Sequence, residues 1–274
     1  MEPTPEETYQ FDLQGFLLLK QVLTPQEVDE ANAVLDSRTL ATHSMQNPTR
    51  APLHPRSAFL MWDKIFRDLI DHPQVLSYLI AWVDRSLRLD HCYPLFSAFG
   101  EKQLPLHHGG YPYQYFARYD QQRGRIFNTL VVVSWALTDL PATLGTFTCI
   151  PGSHKASFAP PAAVMQHERP AGYVIDVPME RGDVVIFTEA LTHGSRTWRA
   201  RHQRRTLLYK YAAPCVAWSN ETWPDELLDL LSERQRRLLR PAYMHDVHSR
   251  GHGFRNAVMR PDSYPLLDSA KDDH

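Results

Sequence analysis

Downstream of residue 87 the chain breaks into short segments rich in β-branched and aromatic residues, and this texture narrows the fold more than any other feature. Leu87–Phe99, Ile126–Leu137, Gly145–Ile150, Tyr173–Val177, Asp183–Phe187 and Arg205–Tyr211 are each bounded by Gly, Pro or Asp. Such runs lack helical periodicity and carry turn residues at their ends, so they read as strands. Many short strands joined by tight turns favour an antiparallel sandwich or barrel, the architectures that protect sheet edges. The expected fold is mainly β with flanking helices.

The flanks read differently. Gly15-Phe-Leu-Leu-Leu-Lys-Gln-Val-Leu23 is a further short strand behind a polar leader. Thr24-Pro25 then supplies an N-cap and a proline at the first helical position, and Val28, Ala31 and Leu35 follow at helical spacing, predicting a helix to about Asp36. Residues 38–58 hold three prolines together with Arg50 and Arg56, the composition of a long loop that serves as a lid or binding loop. A second helix is predicted from Asp71-His72-Pro73 through Val83. Near the end, Trp223-Pro224 opens a helix carrying Leu227, Leu228 and Leu231, and Ser232 with Gln235 forms a capping pair for another that Pro241 ends. No repeat or linker divides the chain. One domain is expected, with helical support over about residues 1–86, a β core over about 87–213 and C-terminal helices over about 222–245.

Charge limits the partners. With 29 basic and 31 acidic residues the formal net charge is −2, which argues against binding to polymeric nucleic acid. Cys92, Cys149 and Cys215 form no metal-type pair and no disulfide framework. The MEPTPEETYQ leader is too polar for a signal peptide, and no apolar run is long enough to cross a bilayer, so a cytoplasmic location without membrane contact is expected.

Three segments carry chemistry: Leu106-His-His-Gly-Gly110, Gly145-Thr-Phe-Thr-Cys-Ile-Pro-Gly-Ser-His-Lys155, and Gly182-Asp-Val-Val-Ile-Phe-Thr-Glu-Ala-Leu-Thr-His-Gly-Ser195 followed by Arg204-Arg-Thr-Leu-Leu-Tyr-Lys-Tyr211. In combination they resemble the phytanoyl-CoA dioxygenase family of Fe(II)/2-oxoglutarate oxygenases, from Gly15 to about Tyr211. The resemblance implies a double-stranded β-helix, or jelly roll, whose sheets enclose the metal. It implies His193 as one ligand and, eleven residues on, Arg204 as the grip on the distal carboxylate of 2-oxoglutarate. A guanidinium matches a carboxylate through two parallel hydrogen bonds, which suits arginine to that role. The first ligand is placed at His108, with His107 as the alternative. His154 is expected to be structural or at the rim, and His91 a satisfied core histidine.

The family's His-x-Asp motif is broken here: whichever histidine is the ligand, the acidic position is Gly109 or Gly110. This variant resembles the halogenases among these enzymes, in which chloride fills the site the carboxylate leaves. Fe(II), 2-oxoglutarate, O₂ and chloride are then the expected cofactors, with Gly110 at the halide site. A hydroxylase whose third ligand comes from elsewhere and a non-catalytic barrel are the rival readings, and Gly109-Gly110 as a plain tight turn is the rival for that pair.

Asn128, Trp135 and Thr148 lie on strands expected to line the cavity and contact 2-oxoglutarate. Tyr111, Tyr113, Tyr115 and Arg118 follow the metal motif, where aromatic faces and a cation suit a planar base bearing phosphate. Arg50 and Arg56 would add anion contacts. The missing carboxylate and this mouth resemble chlorinases of nucleoside-antibiotic biosynthesis that act on 2′-deoxyadenosine monophosphate, so a small-molecule, nucleotide-type substrate is expected.

Overall fold

The computed structural model describes residues 2–41, 57–101, 104–107 and 117–243. In chain order the main elements are α1 (Pro5–Gln14), β1 (Phe16–Leu19), α2 (Pro25–Ala41), α3 (Lys64–Asp68), α4 (Pro73–Trp82), β2 (Arg88–Ser97), β3 (Leu104–His107), β4 (Tyr119–Gln122), β5 (Arg125–Asn128), β6 (Leu130–Ala136) and β7 (Phe147–Cys149). They continue with α5 (Ala162–Met165), β8 (Ile175–Val177), β9 (Val184–Thr188), β10 (His193–Ser195), β11 (Arg204–Ala212), α6 (Asp225–Asp229) and α7 (Glu233–Leu238). A five-stranded sheet in the order β1-β9-β6-β11-β2 faces a four-stranded sheet in the order β3-β10-β7-β8, and β4-β5 stands apart as a hairpin. All pairings are antiparallel. This is the jelly roll.

Each strand of the large sheet serves two cores, because successive side chains point to opposite faces. Val131, Val133, Trp135, Ile186, Leu207, Tyr209 and Tyr211 turn outward and pack beneath the helices against Phe59, Phe66, Leu76 and Trp82. Val132, Ala136, Val185, Phe187 and Leu208 turn inward to meet Phe147, Cys149 and Val177 of the small sheet. Burial on both faces explains why β6, Leu-Val-Val-Val-Ser-Trp-Ala, shows no apolar–polar alternation. The outward tyrosines keep their hydroxyls satisfied in that core: Tyr209 donates to the Phe66 carbonyl and Tyr211 to that of Ile70, each at 2.7 Å.

Three local expectations change. The polar leader folds as α1, capped by reciprocal Thr4–Glu7 hydrogen bonds and closed by Gly15 in the left-handed region. Phe11 is its one buried residue and stacks on Trp82 at 4.0 Å, while Glu7 accepts from the Tyr78 hydroxyl at 2.8 Å and Asp12 pairs with Lys155 at 2.7 Å. The segment expected as one strand over residues 126–137 is two, and β5 pairs with β4 outside the barrel. The helix expected to end near Asp36 continues to Ala41.

The Gly182-Asp183 pair locks β1 to β9. A side chain at Gly182 (φ +93°) would stand 2.6 Å from the Leu23 carbonyl oxygen, so the chain segments meet only because this residue has none. The fully buried Asp183 carboxylate accepts from the backbone N–H groups of Gln21 (2.9 Å) and Glu180 (2.8 Å) and from Lys20 Nζ (2.6 Å). No helix among the described residues is long and apolar enough to cross a membrane. Removing the carboxylate in Asp183→Ala leaves two partly buried N–H donors and the Lys20 ammonium without their acceptor. The expected loss is about 3 kcal/mol, read as a lowered urea midpoint at unchanged slope, with Asp183→Asn losing less.

Candidate active site

His193 opens β10 and lies directly opposite His107, the last residue of β3. Their imidazole centroids are 4.4 Å apart on the inner face, while Leu106 points the other way, against Ile150 and Val164. Each ring is oriented by the backbone: His107 Nδ1 lies 3.0 Å from the Pro105 carbonyl oxygen and His193 Nδ1 2.7 Å from that of Leu191. In the tautomer with Nδ1–H donating, each ring turns its Nε2 lone pair to the space between the strands. Phe187 and Phe147 pack around His193, with centroids 4.7 and 6.0 Å away. Burial, reinforced by His107, pushes the His193 imidazole down to about 3, so it stays neutral and able to bind a metal.

A carboxylate completes the cluster. Glu189 sits in the turn between β9 and β10, its N–H tied to the Leu130 carbonyl at 3.1 Å. The nearest available ligand atoms of His107, Glu189 and His193 lie within 4.8 Å of one another. Burial alone would raise the Glu189 carboxyl, but the Lys210 ammonium, 3.0 Å from Oε2, outweighs that and holds it below its ordinary value. Two imidazoles and one carboxylate form the donor set that suits non-haem Fe(II) with positions left open. This group was not singled out in the sequence, although Glu189 is the lone acid in the apolar stretch Val184–Thr192, four residues before His193.

Arg204 begins β11 on the inner face and is almost fully buried, and its Nε has no hydrogen-bond partner. Burial lowers it to about 10, which leaves it a cation at neutral pH. A buried guanidinium with an unmet donor fits an anionic ligand such as the carboxylate of 2-oxoglutarate. Its neighbour Arg205 points outward, to Asp36 at 2.5 Å and Asn32 at 3.0 Å. Strand alternation separates the two arginines.

Other expected residues lie elsewhere. The Asn128 amide donates to the Trp82 carbonyl at 3.0 Å, because β5 belongs to the outlying hairpin. Trp135 faces the helical layer, its ring 5.3 Å from that of His72. Thr148 is paired with Gly194 rather than with His193, and its hydroxyl donates to Asp176 at 2.6 Å, so Cys149 takes the inner position. The Arg118 side chain is largely exposed beside Asp120. Asn128, Trp135 and Thr148 therefore do not line the cavity as expected. His154 pins the Pro-Gly-Ser-His-Lys turn to α1 through the Asp12 carbonyl at 3.0 Å. His91 lies on the inner face, opposite Lys210. His108, Gly109, Gly110, Tyr111, Tyr113, Tyr115, Arg50 and Arg56 lie outside the described residues.

Gly194 sets the distance between the two histidine strands. A side chain there would meet the carbonyl oxygens of Leu104 at 2.6 Å and Pro105 at 2.8 Å, and the pairing register shifts between His193 and Ser195. Gly194→Ala must push β3 away and carry His107 with it. Isothermal titration of the apoprotein with Co(II) should show at least about tenfold weaker binding, with the far-ultraviolet circular dichroism unchanged.

Comparisons with known proteins agree with the fold and the cofactor class. The phytanoyl-CoA dioxygenase (PhyH) family profile matches residues 11–206. HygX from Streptomyces hygroscopicus, solved with nickel and 2-oxoglutarate, superposes with a TM-score of 0.69 at 22% identity, over 81% of this chain and 91% of that one. SnoK, a non-haem α-ketoglutarate-dependent carbocyclase from nogalamycin biosynthesis, gives 0.58 at 16% identity, over 84% and 91%. The related epimerase SnoN gives 0.55 at 21%, over 77% and 83%. A comparison with curated proteins returns no match. With a jelly roll around two histidines, a carboxylate and a buried arginine, and a profile match over most of its length, this chain belongs to the phytanoyl-CoA dioxygenase family of Fe(II)/2-oxoglutarate-dependent oxygenases.

Proposed function

We propose that the chain hydroxylates an aliphatic carbon of a small polar molecule, with His107, Glu189 and His193 holding Fe(II) and Arg204 anchoring 2-oxoglutarate. The observation that carries this reading is the buried Glu189 carboxylate within ligand distance of both imidazoles. Halogenation was expected because the His-x-Asp acid is replaced by glycine, leaving room for chloride. A carboxylate reaching in from the turn after β9 removes that reason, since it supplies the negative charge the halide would have brought.

Fe(II) held by these three residues would activate O₂, the oxidant: one oxygen atom would go to succinate as 2-oxoglutarate loses CO₂, and the other to the substrate, where C–H becomes C–OH. The protein's own groups do the positioning. The Pro105 and Leu191 carbonyls hold both imidazoles with Nε2 forward. Arg204 offers a two-pronged grip to the distal carboxylate from the start of β11. Phe16, Val132, Phe187 and Leu208 line the interior and keep water from the reacting centre.

Support for the substrate class comes from the fold neighbours. One HygX structure holds hygromycin B, and SnoK and SnoN come from nogalamycin biosynthesis, which favours a natural-product-like small molecule.

Anaerobic addition of Fe(II) and 2-oxoglutarate should produce a weak visible charge-transfer band, and a featureless spectrum would sink the proposal. Titrating chloride into that complex should leave the band in place, whereas a chloride-dependent shift would return the assignment to halogenation. Arg204→Leu should weaken 2-oxoglutarate binding about 100-fold, the equivalent of roughly 3 kcal/mol for a charge-assisted pair, while Fe(II) affinity is retained.

A further inference from the structure

Lys210 is a buried cation on the inner face of β11 that the proposed reaction does not itself require. Its Nζ lies 3.0 Å from Glu189 Oε2, and both side chains are largely withdrawn from solvent. A buried ion pair of this kind is often no more stable than apolar residues of similar size, so packing alone does not account for it. The other acid near this end of the sheet is engaged elsewhere: Asp90 accepts from Arg88 (2.7 Å), His91 Nδ1 (2.6 Å) and the N–H groups of Trp218 and Ser219 (3.0 Å each). Lys210 is thereby directed to Glu189, with the Tyr93 ring 5.9 Å from its ammonium.

We propose that Lys210 is a positioning residue that occupies Oε2 of Glu189 and so limits this ligand to a single metal-binding oxygen, Oε1. The inference rests on the reading of Glu189 as a ligand and deepens it. A free carboxylate can bind a cation through both oxygens. Here that would fill a coordination position needed by 2-oxoglutarate or O₂, because the facial arrangement works by leaving one side of the ion open. Lysine suits the task better than arginine. An ammonium is a compact point donor that takes one oxygen, whereas a guanidinium fork matches both.

The two substitutions therefore have opposite signatures, measured by Co(II) titration and then 2-oxoglutarate titration of the Co(II)-loaded protein. Lys210→Met frees Oε2, so Co(II) affinity should hold or tighten while 2-oxoglutarate binds at least about tenfold more weakly, with a changed Co(II) visible spectrum. Lys210→Arg draws both oxygens away, so Co(II) itself should bind at least about tenfold more weakly. A Lys210→Met protein that binds 2-oxoglutarate as the parent does would overturn the proposal, and so would parent-like Co(II) binding by Lys210→Arg. The charge-retaining Lys210→Arg decides the matter if thermal melting shows that Lys210→Met does not fold. Glu189→Ala separates the two levels. Parent-like Co(II) affinity in that variant refutes Glu189 as a ligand, whereas weakened affinity combined with a silent Lys210→Met refutes the clamp alone.

Discussion

The close approach of β3 to β10 over Gly194 is the contact on which the candidate site depends. Antiparallel pairing alone sets His107 opposite His193, but the rings converge because nothing projects from Gly194 toward the Leu104 and Pro105 carbonyls. Two backbone carbonyls then select the Nδ1–H form of each imidazole. The inward-facing Nε2 atoms are thus presented by main-chain geometry, which is stiffer than any arrangement of side chains alone. The turn that carries Glu189 belongs to the same stretch of chain, so one local structure delivers two of the three donors.

Charge inside the barrel is arranged along β11. Arg204 at its start and Lys210 near its end both turn inward, separated by six residues or about 20 Å of strand. Lys210 is balanced by Glu189, whereas the Nε of Arg204 is left unmet. A buried donor without a partner is costly, and such groups persist where a ligand completes them. The outward face of the same strand is wholly different, with Leu207, Tyr209 and Tyr211 sealed under the helices. A one-residue slip in register would bury Arg205 in the barrel and expel both Arg204 and Lys210, so the pairing of β11 with β2 and β6 fixes which cations face the interior.

The N-terminal helices support this sheet from behind. α4 places Trp82 beneath both Phe11 of α1 and the Asn128 amide, tying the leader and the outlying hairpin to one point. His154 and Lys155 hold the Pro-Gly-Ser-His-Lys turn to Asp12, so that motif braces the barrel's end and contributes no ligand.

Much of this was legible in the residues. The short β-branched runs gave the all-β core, capping pairs placed α2 and α7, and the spacing of His193 and Arg204 pointed to the oxygenase class. The strand period also made Arg204 and Arg205 face opposite ways, though only pairing says which faces inward. Thr148 and Trp135 were misplaced for that reason: alternation is readable from sequence, but its phase relative to the barrel interior is set by neighbouring strands, whereas Asn128 was misplaced because β5 leaves the barrel for the hairpin with β4. The third donor was hidden for a different reason. The missing acid after the first histidine is a local fact of sequence, and it suggested a vacancy. Whether a vacancy exists depends on which side chains converge from other parts of the chain, and Glu189, more than eighty residues beyond His107, reaches the site only when β9, β10 and β3 are folded together. The sequence by itself determined the class of chemistry, because it fixes which donors exist. The tertiary structure decided which donors meet, because convergence through space is a property of packing rather than of spacing along the chain.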